Sequence, residues 1–420
     1  MDYFEIEGGT PLNGTVSVFA AKNAVLPIIA ASILASEGTT ILRNIPDTAD
    51  VRTMLSVVRQ LGANIEFDKK SHKISIDATD INSCEAPYEL VKRMRASFLV
   101  MGPLLARFGT AKVSQPGGCA IGARPIDQHI RGFANLGAKI TEKHGYTIAR
   151  AKKLAGNILH FDRPTHTGTE NIIMSAVLAE GTTVIINAAQ DPEVVDLCNF
   201  LRKMGAKIKG AGTSRITIEG TTSLHGVKHF PIGDRLEAGT YLFAALATGG
   251  KVKIEGCIPE YLSVVLFKLE AMGAKITEGK NYIELRAPRR PKCVEIITDP
   301  YPGFPTDLQA MAMAVLCISE GTGVIWERIF ESRFLHVMEL QRLGANITIL
   351  GDRATVIGVD KLEGASVMAS DIRAGAGLLI AALSARGKSR ISRVYHIDRG
   401  YQRIEEKLVC LGAKIERKSE

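Results

Sequence analysis

The period of hydrophobic and polar positions changes along this chain in an order that repeats. Gly181-Thr-Thr-Val-Ile-Ile leads an apolar run of strand length. Beyond a short loop, Val194, Leu197, Cys198, Leu201 and Met204 recur at helical spacing, which predicts an amphipathic helix over 194–204. Gly205 follows and predicts the left-handed residue that closes a helix. Ala206-Lys-Ile-Lys then alternates like a half-buried strand.

The phrase around that glycine occurs six times: Leu61-Gly-Ala-Asn-Ile, Leu136-Gly-Ala-Lys-Ile, Met204-Gly-Ala-Lys-Ile, Met272-Gly-Ala-Lys-Ile, Leu343-Gly-Ala-Asn-Ile and Leu411-Gly-Ala-Lys-Ile. The glycines are spaced by 75, 68, 68, 71 and 68 residues, so the chain is six copies of one α/β unit. A second helical stretch precedes the next copy, as at Asn171–Ala179 and Gly239–Thr248. Every helix needs a sheet to cover it. Six such units can stack as a solenoid, or close in threes around their helices, twice.

The copies differ in one loop. From the glycine that leads the strand to the glycine of the phrase they measure 24, 28, 24, 24, 23 and 25 residues. The second copy is the long one, and its extra residues fall in Ser114-Gln-Pro-Gly-Gly-Cys-Ala-Ile-Gly-Ala-Arg-Pro. An insertion into a loop of otherwise constant length points to function. Cys119 lies there among glycines that let a ligand approach, with Arg124 close by to favour a thiolate. No Lys-Ser/Thr follows, so this is not a nucleotide P-loop.

Composition narrows the chemistry. A 420-residue chain, 46% hydrophobic, is too large for one ordinary core and implies two or three domains. Seven scattered cysteines, the nearest pair 24 positions apart, exclude a disulfide framework and a C-x-x-C site and suggest a reducing compartment. Cys198 and Cys317, with apolar neighbours, read as small buried hydrophobes. The apolar run 24–35 is too short to cross a bilayer and lacks the basic start of a signal peptide, so a cytoplasmic protein is expected. The net charge of +8 asks for an anionic partner. Basic clusters are short and aromatics few, which argues against nucleic acid and for a small anionic substrate held by arginines. The basic stretch 286–292 reads as a solvated linker.

Further candidates sit at helix starts. Lys22 and Asn23 precede the apolar helix 24–35; Lys22 reads equally as a solvated lysine at a turn and as the holder of an anion, since a cation there otherwise opposes the helix dipole. Asp307 precedes a long apolar helix, 308–318, and reads first as its cap, second as a general base. Arg373 and Arg399 could each clamp a phosphate or carboxylate, or pair with an adjacent Asp on the surface. His225 and His229 have metal-like spacing, but Gly226 and Pro231 oppose a helix and no third ligand is evident, so no metal is expected. Gly375-Ala-Gly377 reads as close helix packing.

Several phrases together resemble those of the bacterial enolpyruvyl transferases that act on UDP-N-acetylglucosamine. These are Ala21-Lys-Asn-Ala, Met94-Arg-Ala-Ser, Pro116-Gly-Gly-Cys-Ala-Ile-Gly-Ala-Arg-Pro, Phe304-Pro-Thr-Asp, Ile329-Phe-Glu-Ser-Arg-Phe and Tyr395-His-Ile-Asp-Arg-Gly-Tyr. The resemblance implies an inside-out α/β barrel of two globular domains, each of three repeated units, as in EPSP synthase. It implies one domain over 22–230, a second from 1–21 with 231–420, and an active site in the cleft between them. It implies that Lys22 and Asn23 contact phosphoenolpyruvate, and that Arg399, with Arg124 and Lys22, holds its phosphate and carboxylate. Arg95 and the run Arg124, Pro125, Ile126, Asp127 and Gln128 would hold the UDP-sugar, and Ile329 would line the sugar site. Asp307 would be the base for the sugar 3-hydroxyl and Cys119 the acid that protonates phosphoenolpyruvate. The two substrates would be the partners, without cofactor, metal, nucleic acid or membrane. Where many members read Lys-x-Ser-Val-Gly, this chain has Arg163-Pro-Thr-His-Thr-Gly168: the arginine keeps the charge, and His166 departs from the pattern. Rival readings are a transferase acting on shikimate 3-phosphate, which the Cys119 phrase opposes, and a silent binder of nucleotide sugars, which would need neither Cys119 nor Asp307.

The resemblance also implies that fosfomycin, an epoxide phosphonate, alkylates Cys119, since a held electrophile reacts faster than a free one. Time-dependent inactivation with one adduct per chain is expected, slowed by phosphoenolpyruvate and absent in Cys119→Asp. Peptide mapping decides it: label on any other cysteine would overturn the assignment.

Overall fold

The computed structural model describes residues 1–115, 122 and 125–419, so Cys119 and Arg124 lie outside the described residues. Two compact units share these residues, one running from Ala20 to Ile232 without Gly122, the other made of Met1–Phe19, Gly122 and the chain from Gly233 onward. We call them the inserted and the terminal unit. At the crossovers Ala21 N–H donates to Ile232 C=O, and Asp234 N–H to Phe19 C=O.

Every copy of the repeat builds one four-stranded sheet. The third copy shows the pattern. Strand Ile158–His160 lies parallel to Thr182–Ile186, and the hairpin Lys207–Lys209 with Arg215–Glu219 completes the sheet through an antiparallel pairing of Thr182–Ile186 with Arg215–Glu219. Helix His166–Ala176 connects the two parallel strands, and helix Pro192–Met204 leads from Thr182–Ile186 to the hairpin. All six glycines of the repeated phrase have positive φ, from 94° at Gly137 to 113° at Gly205, a conformation costly for any residue with a Cβ.

Two copies of the terminal unit borrow strands from the start of the chain. Asp2–Glu7 sits between Lys388–Ser392 and Lys414–Ser419, antiparallel to both. Asn13–Ser17 lies parallel to Lys251–Glu255. In the inserted unit Lys228–His229 returns to lie parallel to Thr39–Leu42, the leading strand of the first copy. Each ring of three copies is therefore closed by a strand distant in sequence, and stacking as a solenoid is excluded.

The helices between parallel strands lie inside. All eight residues of Gln309–Leu316 are buried, as are 235–247 of Arg235–Thr248 and 373–383 of Ile372–Ser384. These three pack against one another. A Cβ on Gly377 would come within 2.7 Å of the Ala310 carbonyl oxygen, and one on Gly375 within 2.7 Å of Ile397 Cγ1, so the two glycines serve close helix packing. Lys22–Ala31, Met101–Phe108 and His166–Ala176 are their counterparts in the inserted unit. Cys198 and Cys317 are buried as expected, and burial pushes both thiols up to about 12.

Several helices start away from the expected positions. His166–Ala176 and Arg235–Thr248 begin four or five residues earlier than the apolar pattern does. Their first turns are polar and read as loop, yet Thr165 caps one, and Asp234 caps the other by accepting from the N–H groups of Leu236 and Glu237. The apolar run 24–35 is an α-helix only to Ala31 and tightens into a 3₁₀ turn over Ser32–Leu34. The stretch 286–292 is an anchored linker: Arg290 bonds the carbonyls of Ile318 and Val359 and pairs with Asp360 at 2.9 Å.

The borrowed strand Asp2–Glu7 carries Phe4 and Ile6, both fully buried. Phe4→Ala is expected to destabilise the terminal unit by about 3–5 kcal/mol, read from its denaturant unfolding. A loss below about 1 kcal/mol would mean that this strand is not integral to the core.

Candidate active site

The inner helices of the terminal unit bring their N-terminal ends together, and the charged residues of that unit meet there. Asp307 lies in a 3₁₀ turn, Thr306–Leu308, just before helix Gln309–Leu316. The N-cap positions of these two elements are Pro305 and Leu308, so Asp307 occupies neither. The cap reading misses the partners of its oxygens, which are two guanidinium groups. Arg333 Nη2 donates to Oδ1 at 2.7 Å, and Arg373 reaches Oδ2 through Nε at 3.1 Å and Nη2 at 3.0 Å. Both arginines are buried. Arg373 does not form the surface pair with its neighbour that the sequence allows. Asp371 instead caps helix Ile372–Ser384, accepting from the backbone N–H of Arg373 and Ala374. That cap turns the Arg373 side chain inward.

The network continues to a third helix. Arg373 Nη1 donates to Tyr401 Oη at 3.0 Å, and Tyr401 Oη lies 2.8 Å from Thr240 Oγ1. Since the Thr240 hydroxyl donates to the Leu236 carbonyl, the Tyr401 hydroxyl donates to Thr240 and accepts from Arg373. Burial alone would depress the Arg373 guanidinium, but the Asp307 carboxylate reverses this and raises it. Burial raises the Tyr401 phenol, so it stays neutral. The Asp307 carboxyl thus lies between two buried guanidinium groups. Ile329 lies on the neighbouring segment, where its N–H donates to Glu327 Oε1 at 2.9 Å. Arg399 ends the 3₁₀ turn Val394–Arg399, and after burial its charge is the next cause of the lowered His396 pKa. Asp398 beside it pairs with Arg417, not with Arg399.

In the inserted unit, too, the candidates stand at inner-helix starts. Lys22 is the first residue of Lys22–Ala31, buried, with Nζ 3.0 Å from Asp50 Oδ2. Asn23 follows it. Arg95 opens the 3₁₀ turn that leads into Met101–Phe108. Burial first, and then the Arg95 charge, push the His129 pKa down to about 3, so that imidazole is neutral. Asn171 fixes its tautomer. The Asn171 amide donates to Phe98 C=O and to His129 Nδ1, and its oxygen accepts from Gly102 N–H, leaving His129 Nε2–H to donate to Thr167.

Pro125 is exposed, Ile126 precedes helix Asp127–Asn135, and Asp127 lies in its first turn. Gln128 joins this segment to the one that carries Arg163: it donates to Arg163 C=O at 3.3 Å and accepts from Asp162 N–H at 3.0 Å. His166, three residues on, is held on both sides. Nε2 lies 3.1 Å from Glu170 and Nδ1 3.4 Å from Asp191. Burial opposes its charge, but the two carboxylates raise its pKa well above the ordinary value. Both ring nitrogens are thus engaged within the protein. His166, Asp191 and Glu193 place their donor atoms within 4.8 Å of one another, a spacing that suits a cation, and the imidazolium itself supplies that charge.

Comparison with known proteins places this arrangement. Residues 6–408 match the sequence pattern of EPSP synthase (3-phosphoshikimate 1-carboxyvinyltransferase). The chain is 55% identical, over 415 residues and 99% of both sequences, to UDP-N-acetylglucosamine 1-carboxyvinyltransferase 1 of Caldanaerobacter subterraneus subsp. tengcongensis. It is 53% identical over 417 residues, again 99% of both, to the UDP-N-acetylglucosamine 1-carboxyvinyltransferase of Dichelobacter nodosus. The chain belongs to the UDP-N-acetylglucosamine 1-carboxyvinyltransferases of the EPSP synthase family. Among solved structures, the enolpyruvyl transferase NikO from Streptomyces tendae matches with a TM-score of 0.89 at 25% identity, covering 99% of this chain and 98% of that one. EPSP synthase from Acinetobacter baumannii matches over the full length of both with a TM-score of 0.76 at 18% identity, a likeness of fold.

Sequence reasoning missed Arg333, Tyr401, Thr240 and Asp50 in this family member. Arg333 and Tyr401 fall inside phrases that carried the resemblance, and that placement was the available signal. Thr240 and Asp50 offered none, being ordinary helix residues whose partners come from distant segments.

His166 counters the carboxylates of Glu170, which is fully buried, and Asp191, so His166→Ala leaves them without that cation. The cost at pH 6–7 is expected to be about 3 kcal/mol. The raised imidazole pKa makes this stabilisation complete below the unfolded value of about 6.5 and lost as pH rises through the folded value. On the acid side it fades as Glu170, itself raised by burial, becomes protonated. Unfolding of both proteins across pH 4–9 checks this; a pH-independent difference would contradict it.

Proposed function

We infer that the chain transfers the enolpyruvyl group of phosphoenolpyruvate to the 3-hydroxyl of UDP-N-acetylglucosamine with release of phosphate, the first committed step of peptidoglycan synthesis. The observation that carries this is the 53–55% identity, over 99% of both sequences, to proteins named for that activity. Among the described residues no helix is long and apolar enough to cross a membrane. Both substrates are charged and water-soluble, and we place the reaction in the cytoplasm.

The site residues follow as our reading. Asp307 accepts the proton of the sugar hydroxyl while that oxygen attacks C2 of phosphoenolpyruvate. Cys119 delivers a proton to C3, so the double bond becomes a methyl group and a tetrahedral ketal forms. The Cys119 thiolate then takes a proton back from the methyl group, the C2–O bond to phosphate breaks, and the double bond is restored. The proton taken by Asp307 leaves with the departing phosphate. Lys22, Arg124 and Arg399 hold the phosphate and carboxylate, and Asn23 contacts phosphoenolpyruvate. Arg95, Pro125, Ile126, Asp127, Gln128 and Arg163 hold the UDP-sugar, and Ile329 lines the sugar site. Arg373 holds Asp307 and adds cationic charge near the reacting oxygen. Fixed cations of this kind stabilise developing negative charge without reorganisation. Neither metal nor organic cofactor enters these steps. His166, held by Glu170 and Asp191, secures the segment that carries Arg163.

Phosphate release in the presence of phosphoenolpyruvate tests the acceptor. It is expected with UDP-N-acetylglucosamine and absent with shikimate 3-phosphate. The reverse result, or tight binding of the UDP-sugar with no phosphate released, would overturn the reading.

A further inference from the structure

Glu327 is a buried carboxylate in the fifth copy, 3% exposed, and its hydrogen-bond partners are all uncharged. Oε1 accepts from Thr298 Oγ1 at 2.9 Å and from the backbone N–H groups of Ile329 at 2.9 Å and Phe330 at 3.2 Å. Oε2 accepts from Thr306 Oγ1 at 2.9 Å. The Thr298 oxygen in turn accepts from Arg328 N–H at 2.9 Å, so its own hydrogen goes to Glu327. A carboxylate so deeply buried is costly unless its lone pairs are met, and here four donors converge on it.

Three of the four donors come from two segments that form the Asp307 site. Thr306 immediately precedes Asp307. Ile329 and Phe330 begin the segment that delivers Arg333 to Asp307 Oδ1. The repeat supplies an internal control. The residue that follows the leading strand is Arg43, Gln115, Asn187, Gly256, Glu327 and Arg393 in the six copies. The fold builds the same sheet with all of these, so it does not require an acid at this position. The only copy with an acid there is the one that carries Asp307.

We propose that Glu327 is a positioning residue for the transfer reaction, clamping the Asp307 turn and the Ile329–Phe330 segment to one anchor so that base, arginine and sugar-site wall keep a fixed geometry. This rests on Asp307 being the base. Displacement of a catalytic group by about 1 Å can cost as much as a hundredfold in rate.

Glu327→Gln keeps the shape and can satisfy the two backbone donors, but it gives one threonine an N–H where an acceptor was. The expected result is a kcat at least about tenfold lower, a raised KM for UDP-N-acetylglucosamine through Ile329, an unchanged KM for phosphoenolpyruvate, and a melting temperature close to that of the parent. In an Asp307→Asn background, the slow residual turnover should show no further loss from Glu327→Gln, because the group being positioned is gone. Thr306→Val should reproduce part of the kcat loss, and it carries the test if Glu327→Gln does not fold. Wild-type kcat in the folded variant, or the same loss factor in both backgrounds, would overturn the positioning role. Normal turnover by Asp307→Asn alone would instead overturn the base assignment.

Discussion

A helix buried on every side must be covered all round by protein, and the three inner helices of the terminal unit are of this kind. Gln309–Leu316 is buried at each position. One four-stranded sheet covers only one side of it. The rest of its surface must be covered by other helices of the same kind, and three copies brought together do this. Burial of that surface is worth about 25 cal/mol per Å², which outweighs the cost of closing each ring with strands from distant parts of the chain. Phe4, Ile6 and Leu12 are fully buried as a result.

Closing the ring has a chemical consequence. In the terminal unit the inner helices meet at their N-terminal ends, where unsatisfied N–H groups and the helix dipoles favour negative charge. Asp307 and the caps Asp234 and Asp371 stand there, with Arg333 and Arg373 held among them. A single buried guanidinium would be destabilising; paired with Asp307, Tyr401 and a neighbouring cap it is fixed and fully charged. In the inserted unit Lys22 and Arg95 occupy corresponding places beside helix starts. Residues far apart in sequence are brought to the ends of inner helices because those ends are where the fold can bear charge.

What could be read from the sequence was local. The six glycines announced themselves because a left-handed helix end admits little else, and the long loop of the second copy stood out because its five siblings set the length. Close packing at Gly375 and Gly377 was legible for the same reason, since absence of a side chain is itself a signal. Asp307 was legible as a candidate cap or base but its setting was not: the two guanidinium groups on its oxygens come from Arg333 and Arg373, 26 and 66 positions away. The starts of His166–Ala176 and Arg235–Thr248 were hidden because charged residues in their first turns find buried partners elsewhere in the fold. Glu327 left no mark in the pattern of apolar positions, and it emerges only when the six copies are laid over one another.

The central claim is that the carboxylate between Arg333 and Arg373 does chemistry beyond holding two arginines in place. Single-turnover kinetics of Asp307→Asn, with a thermal melt of the same protein, tests this most directly. The expected result is a chemical step slower by about two to four orders of magnitude with UDP-N-acetylglucosamine still bound and the fold intact. A protein that melts earlier yet turns over at the parental rate would contradict it.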